Sequence, residues 1–142
     1  LAQVETDTGC LLEARSILVC EDSQTVAMLI QTILERAGAR VTLVENGALA
    51  IAAIAPDTDH FDAVVTDIQM PIIDGYELAN QLRRLGWAKP IIALTALAAP
   101  EDKARCLAAG CSDYLTKPID PADFPAALAN AMRSHSQEAV MP

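Results

Sequence analysis

The chain has 142 residues, 52% of them hydrophobic and 20% charged, which is one domain's worth of a globular protein with a real core. A net charge of −9 argues against nucleic acid, whose backbone needs clustered Lys and Arg; Arg83-Arg84 and Lys103/Arg105 read as ordinary helix-surface charges. The apolar runs are too short and interrupted to span a membrane, and the acidic start from Leu1 to Gly9 lacks a signal-peptide pattern.

Residues 1–14 show only mixed polarity and read as linker. Because the first residue is Leu rather than Met, the expectation is a module cut from something longer. Ser16 to Cys20 is a short apolar run of buried-strand type that ends at Glu21-Asp22. Asp22 or Ser23 can cap the helix that follows, in which Val26, Leu29, Ile30, Ile33, Leu34 and Ala37 recur at helical spacing and Gly38 is the stop. A second strand is predicted from Arg40 to Val44, an Ala/Ile-rich helix from Gly47 to about Ala55, and a loop at Pro56-Asp57-Thr58-Asp59.

The third strand, Ala63-Val64-Val65-Thr66-Asp67, is rich in β-branched residues and puts a carboxylate at its end. Pro71 and Asp74-Gly75 then signal a loop. A helix to about Arg84 buries Leu78, Leu82 and Leu85, and Gly86 and Pro90 bound a turn near which Trp87 covers the core. Ile91 to Leu94 is the fourth strand, ending at Thr95. Pro100 fits the first turn of a helix made acidic by Glu101 and Asp102, and Gly110 stops it. Asp113 to Thr116 is a short fifth strand ending at Lys117-Pro118. The last helix starts at about Asp120 or Asp123 and runs to His135 through Phe124, Leu128 and Met132. Pro125 suits the later start, since deep in a helix it would lose a hydrogen bond. Residues 136–142 read as a frayed tail, which makes 15–135 the domain.

Five strands alternating with five helices predict a doubly wound α/β fold with a parallel sheet and right-handed crossovers. The order 2-1-3-4-5, one of two common solutions, opens a crevice between strands one and three. Cys10, Cys20, Cys106 and Cys111 have neither CxxC spacing nor a nearby His, so disulfide, metal and catalytic readings all rate low. Cys20 reads as a small core residue, and the expected compartment is reducing and cytoplasmic.

The strand ends carry the chemistry. Glu21-Asp22, Asp67, Thr95 and Lys117 all fall on one edge of such a sheet. An aspartate there, taken alone, is better read as a loop cap. Three carboxylates together are different, because each pair at about 4 Å costs about 4 kcal/mol at an ordinary effective dielectric. Either their pKa values rise or a cation is bound, and an all-oxygen set suits Mg²⁺ or Mn²⁺ better than zinc. A metal-neutralised Asp67 beside a hydroxyl and an ammonium is suited to receive a phosphoryl group, a reaction that is mostly positioning and charge neutralisation. Asp67 would be the nucleophile. Glu21, Asp22 and a backbone carbonyl just after Asp67 would hold the metal, and Thr95 and Lys117 would take the remaining phosphoryl oxygens. The same acidic pair would repel the phosphate of a flavin cofactor.

Four stretches carry a family resemblance: Ile17-Leu18-Val19-Cys20-Glu21-Asp22-Ser23, Thr66-Asp67-Ile68-Gln69-Met70-Pro71-Ile72-Ile73-Asp74-Gly75, Leu94-Thr95-Ala96 and Tyr114-Leu115-Thr116-Lys117-Pro118-Ile119. In this order and spacing they resemble the receiver domains of two-component response regulators, over roughly Arg15 to His135. The resemblance implies a flavodoxin-like (βα)5 fold and a phosphorelay function. Asp67 is then the phosphoacceptor, with Mg²⁺ or Mn²⁺ as cofactor and a histidine kinase or histidine phosphotransfer domain as partner. It makes Thr95 the switch hydroxyl, Lys117 the phosphoryl-binding lysine and Lys117-Pro118 a cis bond. Tyr114 becomes the aromatic that moves inward with Thr95, against the plainer reading of a half-buried strand residue. Gln69 and Leu97 would flank the phosphoryl group, and a bulky Leu97 would slow its hydrolysis.

Gly110 to Asp120 looks most like receivers at the C-terminus of hybrid sensor histidine kinases, although Val26 stands near the place of the Asn typical of their first helix. Such a parent could be membrane-anchored while this domain stays cytoplasmic and touches no membrane. A stand-alone response regulator is the alternative within the family. A haloacid-dehalogenase-type Mg²⁺ phosphatase would want a second Asp where Gln69 stands. A pseudo-receiver that only binds would have lost one of these residues, and all are present.

Overall fold

The computed structural model describes residues 11–96 and 99–140, the last helix beyond Arg133 by its backbone alone; Cys10 and Leu97 lie outside the described residues. In chain order the elements are β1 (Ser16–Cys20), α1 (Gln24–Arg36), β2 (Arg40–Val44), α2 (Gly47–Ile54) and β3 (Ala63–Asp67). Then come α3 (Gly75–Arg84), β4 (Ile91–Thr95), α4 (Pro100–Ala109), β5 (Asp113–Thr116) and α5 (Phe124–Val140). The strands form one sheet in the order β2-β1-β3-β4-β5, every neighbouring pair parallel. This is the flavodoxin-like arrangement expected.

The central strands have helices on both faces, which is why they read as unbroken apolar runs rather than alternating ones. Ile17, Val19, Val65 and Leu94 face α1 and α5, packing on Ile30, Leu34 and Leu128. Leu18, Val64, Ile91 and Ala93 face the other way, onto Ile54, Leu78, Leu82 and Trp87. Residues at both edges of the sheet, in β2 and β5, are only half-covered or exposed.

Helix starts follow capping chemistry. Ser23, rather than Asp22, caps α1 by accepting from the Val26 N–H at 3.4 Å. Asn46 caps α2 and Asp74 caps α3, each accepting an N–H at 2.9 Å. Pro125 lies at the second position of α5, where no hydrogen bond is lost.

Several expectations are corrected. Leu29 is 43% exposed; it points about 100° away from Ile30, past the arc that meets the sheet. Leu85 is likewise 43% exposed, whereas Trp87 is 1% exposed. The chain reverses at Gly86, whose φ is 91°, and the Trp87 N–H donates to the Leu82 carbonyl at 3.1 Å. That closure suits a left-handed glycine and carries Trp87 inward in place of Leu85. The Trp87 indole N–H is satisfied by the Thr58 carbonyl at 3.1 Å. Residues 11–14, read as linker, form a turn in which Leu12 is buried at 1% exposure and donates its N–H to Ala37. Helix α5 continues to Val140 where a tail was expected after His135.

Arg83 is not an ordinary surface charge. Its guanidinium donates to the carbonyls of Gly110 (2.9 Å), Trp87 (2.8 Å) and Lys89 (2.7 Å), and to the Ser112 hydroxyl at 3.3 Å. One side chain thus ties the end of α3 to the segments entering β4 and β5. Burial lowers its pKa. Cys20, Cys106 and Cys111 are buried free thiols, and burial pushes Cys20 and Cys111 up to about 12, so they behave as apolar packing.

Candidate functional site

Register decides what meets at the carboxyl edge. Cys20 pairs with Thr66, so Glu21 emerges beside Asp67. Asp67 pairs with Leu94 and Thr95 with Thr116, so the hydroxyl of β4 and the residue after β5 follow in step. The Lys117 N–H donates to the Thr95 carbonyl at 2.8 Å, which extends that step to the lysine. The Lys117-Pro118 peptide is cis.

Glu21, Asp67 and Thr95 are buried, with exposures of 3%, 7% and 4%, while Asp22 is open to solvent. Carboxylate oxygens of Glu21, Asp22 and Asp67 all lie within 4.8 Å of one another. The Lys117 ammonium stands 3.1 Å from Asp67 Oδ2 and 3.4 Å from Glu21 Oε1. Burial raises the pKa of Glu21 and the charge of Asp67 adds to that, while the Ser23 N–H, donating at 3.0 Å, and Lys117 pull it down. Burial also works against the Lys117 ammonium, but the bond to Asp67 and the charges of Asp67 and Glu21 outweigh it and its pKa is raised.

One ammonium against three carboxyl groups leaves an excess of negative charge in a partly buried place. The donor set is all oxygen and converges within one coordination sphere's reach. Those features fit a hard divalent cation such as Mg²⁺ or Mn²⁺.

The loop after Asp67 is built to leave it open. The Gly75 N–H donates to the Ile68 carbonyl at 2.8 Å. A Cβ at Gly75 would stand 2.5 Å from the carbonyl oxygen of Asp67, so only glycine permits this return. Between them Ile72 holds a φ of 72° and the Ile73 N–H reaches back to Pro71 at 2.8 Å, a tight reversal that strains a β-branched residue. Ile72 is 78% exposed. Gln69 is exposed on the rim of the resulting crevice, about 510 Å³ in volume, which Asp22, Met70 and Asp74 also line.

Sequence reasoning missed the far wall of that crevice, formed by Tyr76, Asp102 and Arg105. The Arg105 guanidinium lies 4.1 Å from the centroid of the Tyr76 ring, and the Lys103 ammonium 5.8 Å from that of half-buried Tyr114. Both had read as ordinary surface charges. The sole hint in the sequence is a tyrosine at the second position of α3, and nothing local links it to a residue 29 positions on.

A five-stranded parallel sheet with an acidic, lysine-bridged crevice at its carboxyl edge defines a class of signalling domain. The chain belongs to the response regulator receiver domain family, whose model matches residues 17–129. It is 41% identical over 123 residues to the sensor histidine kinase GacS of Pseudomonas protegens, covering 83% of this chain and 13% of that one. It is 40% identical over 104 residues to the transcriptional regulatory protein TcrA of Mycobacterium tuberculosis, covering 73% of this chain and 40% of that one. Among solved structures, the receiver domain of the Pseudomonas aeruginosa sensor histidine kinase PA1611, with magnesium coordinated in its active-site cleft, superposes with a TM-score of 0.74. It is 35% identical, and the match covers 84% of this chain and 98% of that one. The chain spans only about 13% of the GacS proteins it matches. It is a receiver domain of two-component signalling with hybrid kinases among its relatives. No described helix is long and apolar enough to cross a membrane.

Proposed function

We propose that the chain accepts a phosphoryl group on Asp67 from a phosphohistidine of a histidine kinase or histidine phosphotransfer domain. The observation that carries this is the Lys117 ammonium 3.1 Å from Asp67 Oδ2, beside two further carboxylates within 4.8 Å. A carboxylate oxygen of Asp67 attacks phosphorus and forms a P–O bond. The P–N bond breaks, its electron pair returns to the imidazole nitrogen, and that nitrogen takes a proton. Lys117 neutralises one phosphoryl oxygen as charge moves onto Asp67, and the Thr95 hydroxyl donates to another. Glu21, Asp22, Asp67 and the main-chain carbonyl of Gln69 are the residues to hold Mg²⁺, which when bound supplies charge neutralisation for the transfer.

Thr95 turning toward the phosphoryl group leaves room for Tyr114 to move inward, and that biases the surface of α4, β5 and α5 between two states. Likeness to GacS and to the PA1611 receiver supports a place within a hybrid sensor histidine kinase, and likeness to TcrA supports the stand-alone alternative. The coding sequence upstream of Leu1 distinguishes the two. Asp67→Asn should abolish Mg²⁺-dependent labelling by acetyl phosphate or by a cognate kinase. Undiminished labelling of that variant overturns the assignment.

A further inference from the structure

Helix α4 has an unusual attachment. Cys106 is its one fully buried side chain, and its Leu107 is 47% exposed. By contrast α3 buries Leu78, Ala79 and Leu82. Beside the Cys106 thiol and half-buried Ala109, α4 has two aromatic neighbours, each under a cation. Residues 103 and 105 point about 200° apart on a helix, so the two contacts lie on opposite flanks. Arg105 stacks closely on Tyr76 at 4.1 Å, and Lys103 reaches Tyr114 at 5.8 Å, near the outer limit for a cation–π contact.

Tyr76 is tied to the acceptor. It directly follows Gly75, whose backbone hydrogen-bonds Ile68 at 2.8 Å and sits so close to the Asp67 carbonyl that no Cβ fits. The two nearest atoms there, the Asp67 carbonyl oxygen and Ile68 Cα, are backbone, so a displacement is passed on rather than absorbed. A shift at the end of β3 therefore moves Gly75 and Tyr76 together. The alternative is that Arg105 is a solvated surface charge resting against a ring; its close approach and the weak apolar anchoring of α4 argue otherwise.

We propose that Arg105 is a positioning residue: its contact with Tyr76 couples the acceptor loop to α4, in parallel with the Thr95–Tyr114 route. This rests on the receiver reading of Asp67 given above. An exposed cation–aromatic contact shifts an equilibrium about two- to fivefold, enough to bias α4 without locking it.

The test compares amide hydrogen exchange across residues 100–109 with Mg²⁺ alone and with acetyl phosphate present throughout. Samples are matched by intact mass for the fraction of phosphorylated Asp67. Arg105 is exposed, so Arg105→Gln should keep the fold. Arg105→Gln and Tyr76→Leu should each lower α4 protection in the unlabelled protein by about two- to fivefold and shrink its response to labelling. The double variant should do no more than Tyr76→Leu alone, and Tyr76→Phe, which keeps the ring under Arg105 but loses the hydroxyl's bond with the Cys106 thiol, should keep the labelling response that Arg105→Gln loses. An undiminished α4 response in Arg105→Gln at matched phosphorylation, or additive effects in the double variant, overturns the coupling alone. Failure of the unsubstituted chain to take label overturns the receiver reading and the coupling with it.

Discussion

Glu21 is a carboxyl held away from water next to another carboxylate, and its raised pKa has a consequence for stability. A carboxyl that binds its proton more tightly in the folded state favours folding while protonated. That contribution is present below the ordinary value of 4.5 and is lost as pH rises from there through the folded pKa. Without divalent cations the melting temperature should therefore fall with rising pH from that point. Glu21→Gln should flatten the fall, raise the metal-free melting temperature near neutrality, and weaken the response to Mg²⁺; thermal scans in chelator across pH check all three. Lys117, also raised, loses its contribution only far above neutrality, so it does not blur this window. Gly75 makes the opposite kind of demand. Gly75→Ala forces a Cβ to within 2.5 Å of the Asp67 carbonyl oxygen and should cost about 1–3 kcal/mol. Because the displaced atoms belong to the acceptor strand, acetyl phosphate labelling should slow as well, and a denaturation curve beside a labelling time course reads both.

At the scale of elements, the helices differ in what holds them. Helix α3 is anchored by its apolar stripe and by the Arg83 fan of hydrogen bonds to Trp87, Lys89 and Gly110. Arg83→Met leaves those half-buried carbonyls without their donor, and an unpaired acceptor of this kind costs about 1 kcal/mol, the low end of the range for a buried one. The variant should lose at least that in urea denaturation, and Ser112→Ala added to it should cost less than Ser112→Ala alone, because the pair shares one network. Helix α1 leaves Met28 and Leu29 exposed at 56% and 43%. Ile72 is likewise exposed, in the loop after Asp67.

For the molecule as a whole, the net charge of −9 and the convergence of three carboxylates at one edge predict stabilisation by a divalent cation. A ligand that binds only the folded state at 100 times its dissociation constant stabilises by about 2.7 kcal/mol. Melting temperature should accordingly climb with MgCl₂ and return to its starting value in chelator. Asp22→Asn should reduce the climb, and NaCl at equal ionic strength should not reproduce it. A flat response in the unsubstituted chain counts against the metal site. The layered architecture explains how such a site is tolerated: two apolar layers on either side of the sheet provide the stability, and the unfavourable charges gather at one end.

What could be read from residues alone was whatever depends on short-range order. Strand runs such as Val64-Val65 and Ile91-Ile92, helix stops at glycine, and the alternation that forces a parallel sheet are local patterns, and the carboxyl-edge constellation follows from them because strand ends in such a sheet share one side. That alternation alone puts Glu21, Asp22, Asp67, Thr95 and Lys117 at that edge. The tertiary structure decided what depends on where separate helices land. Leu85 and Trp87 compete for one place in the core, and the left-handed turn at Gly86 settles it in favour of Trp87. Arg83, Lys103 and Arg105 look alike in sequence. One is a half-buried clamp and two sit over tyrosines, because a long cationic side chain takes its role from the neighbour that packing brings within reach.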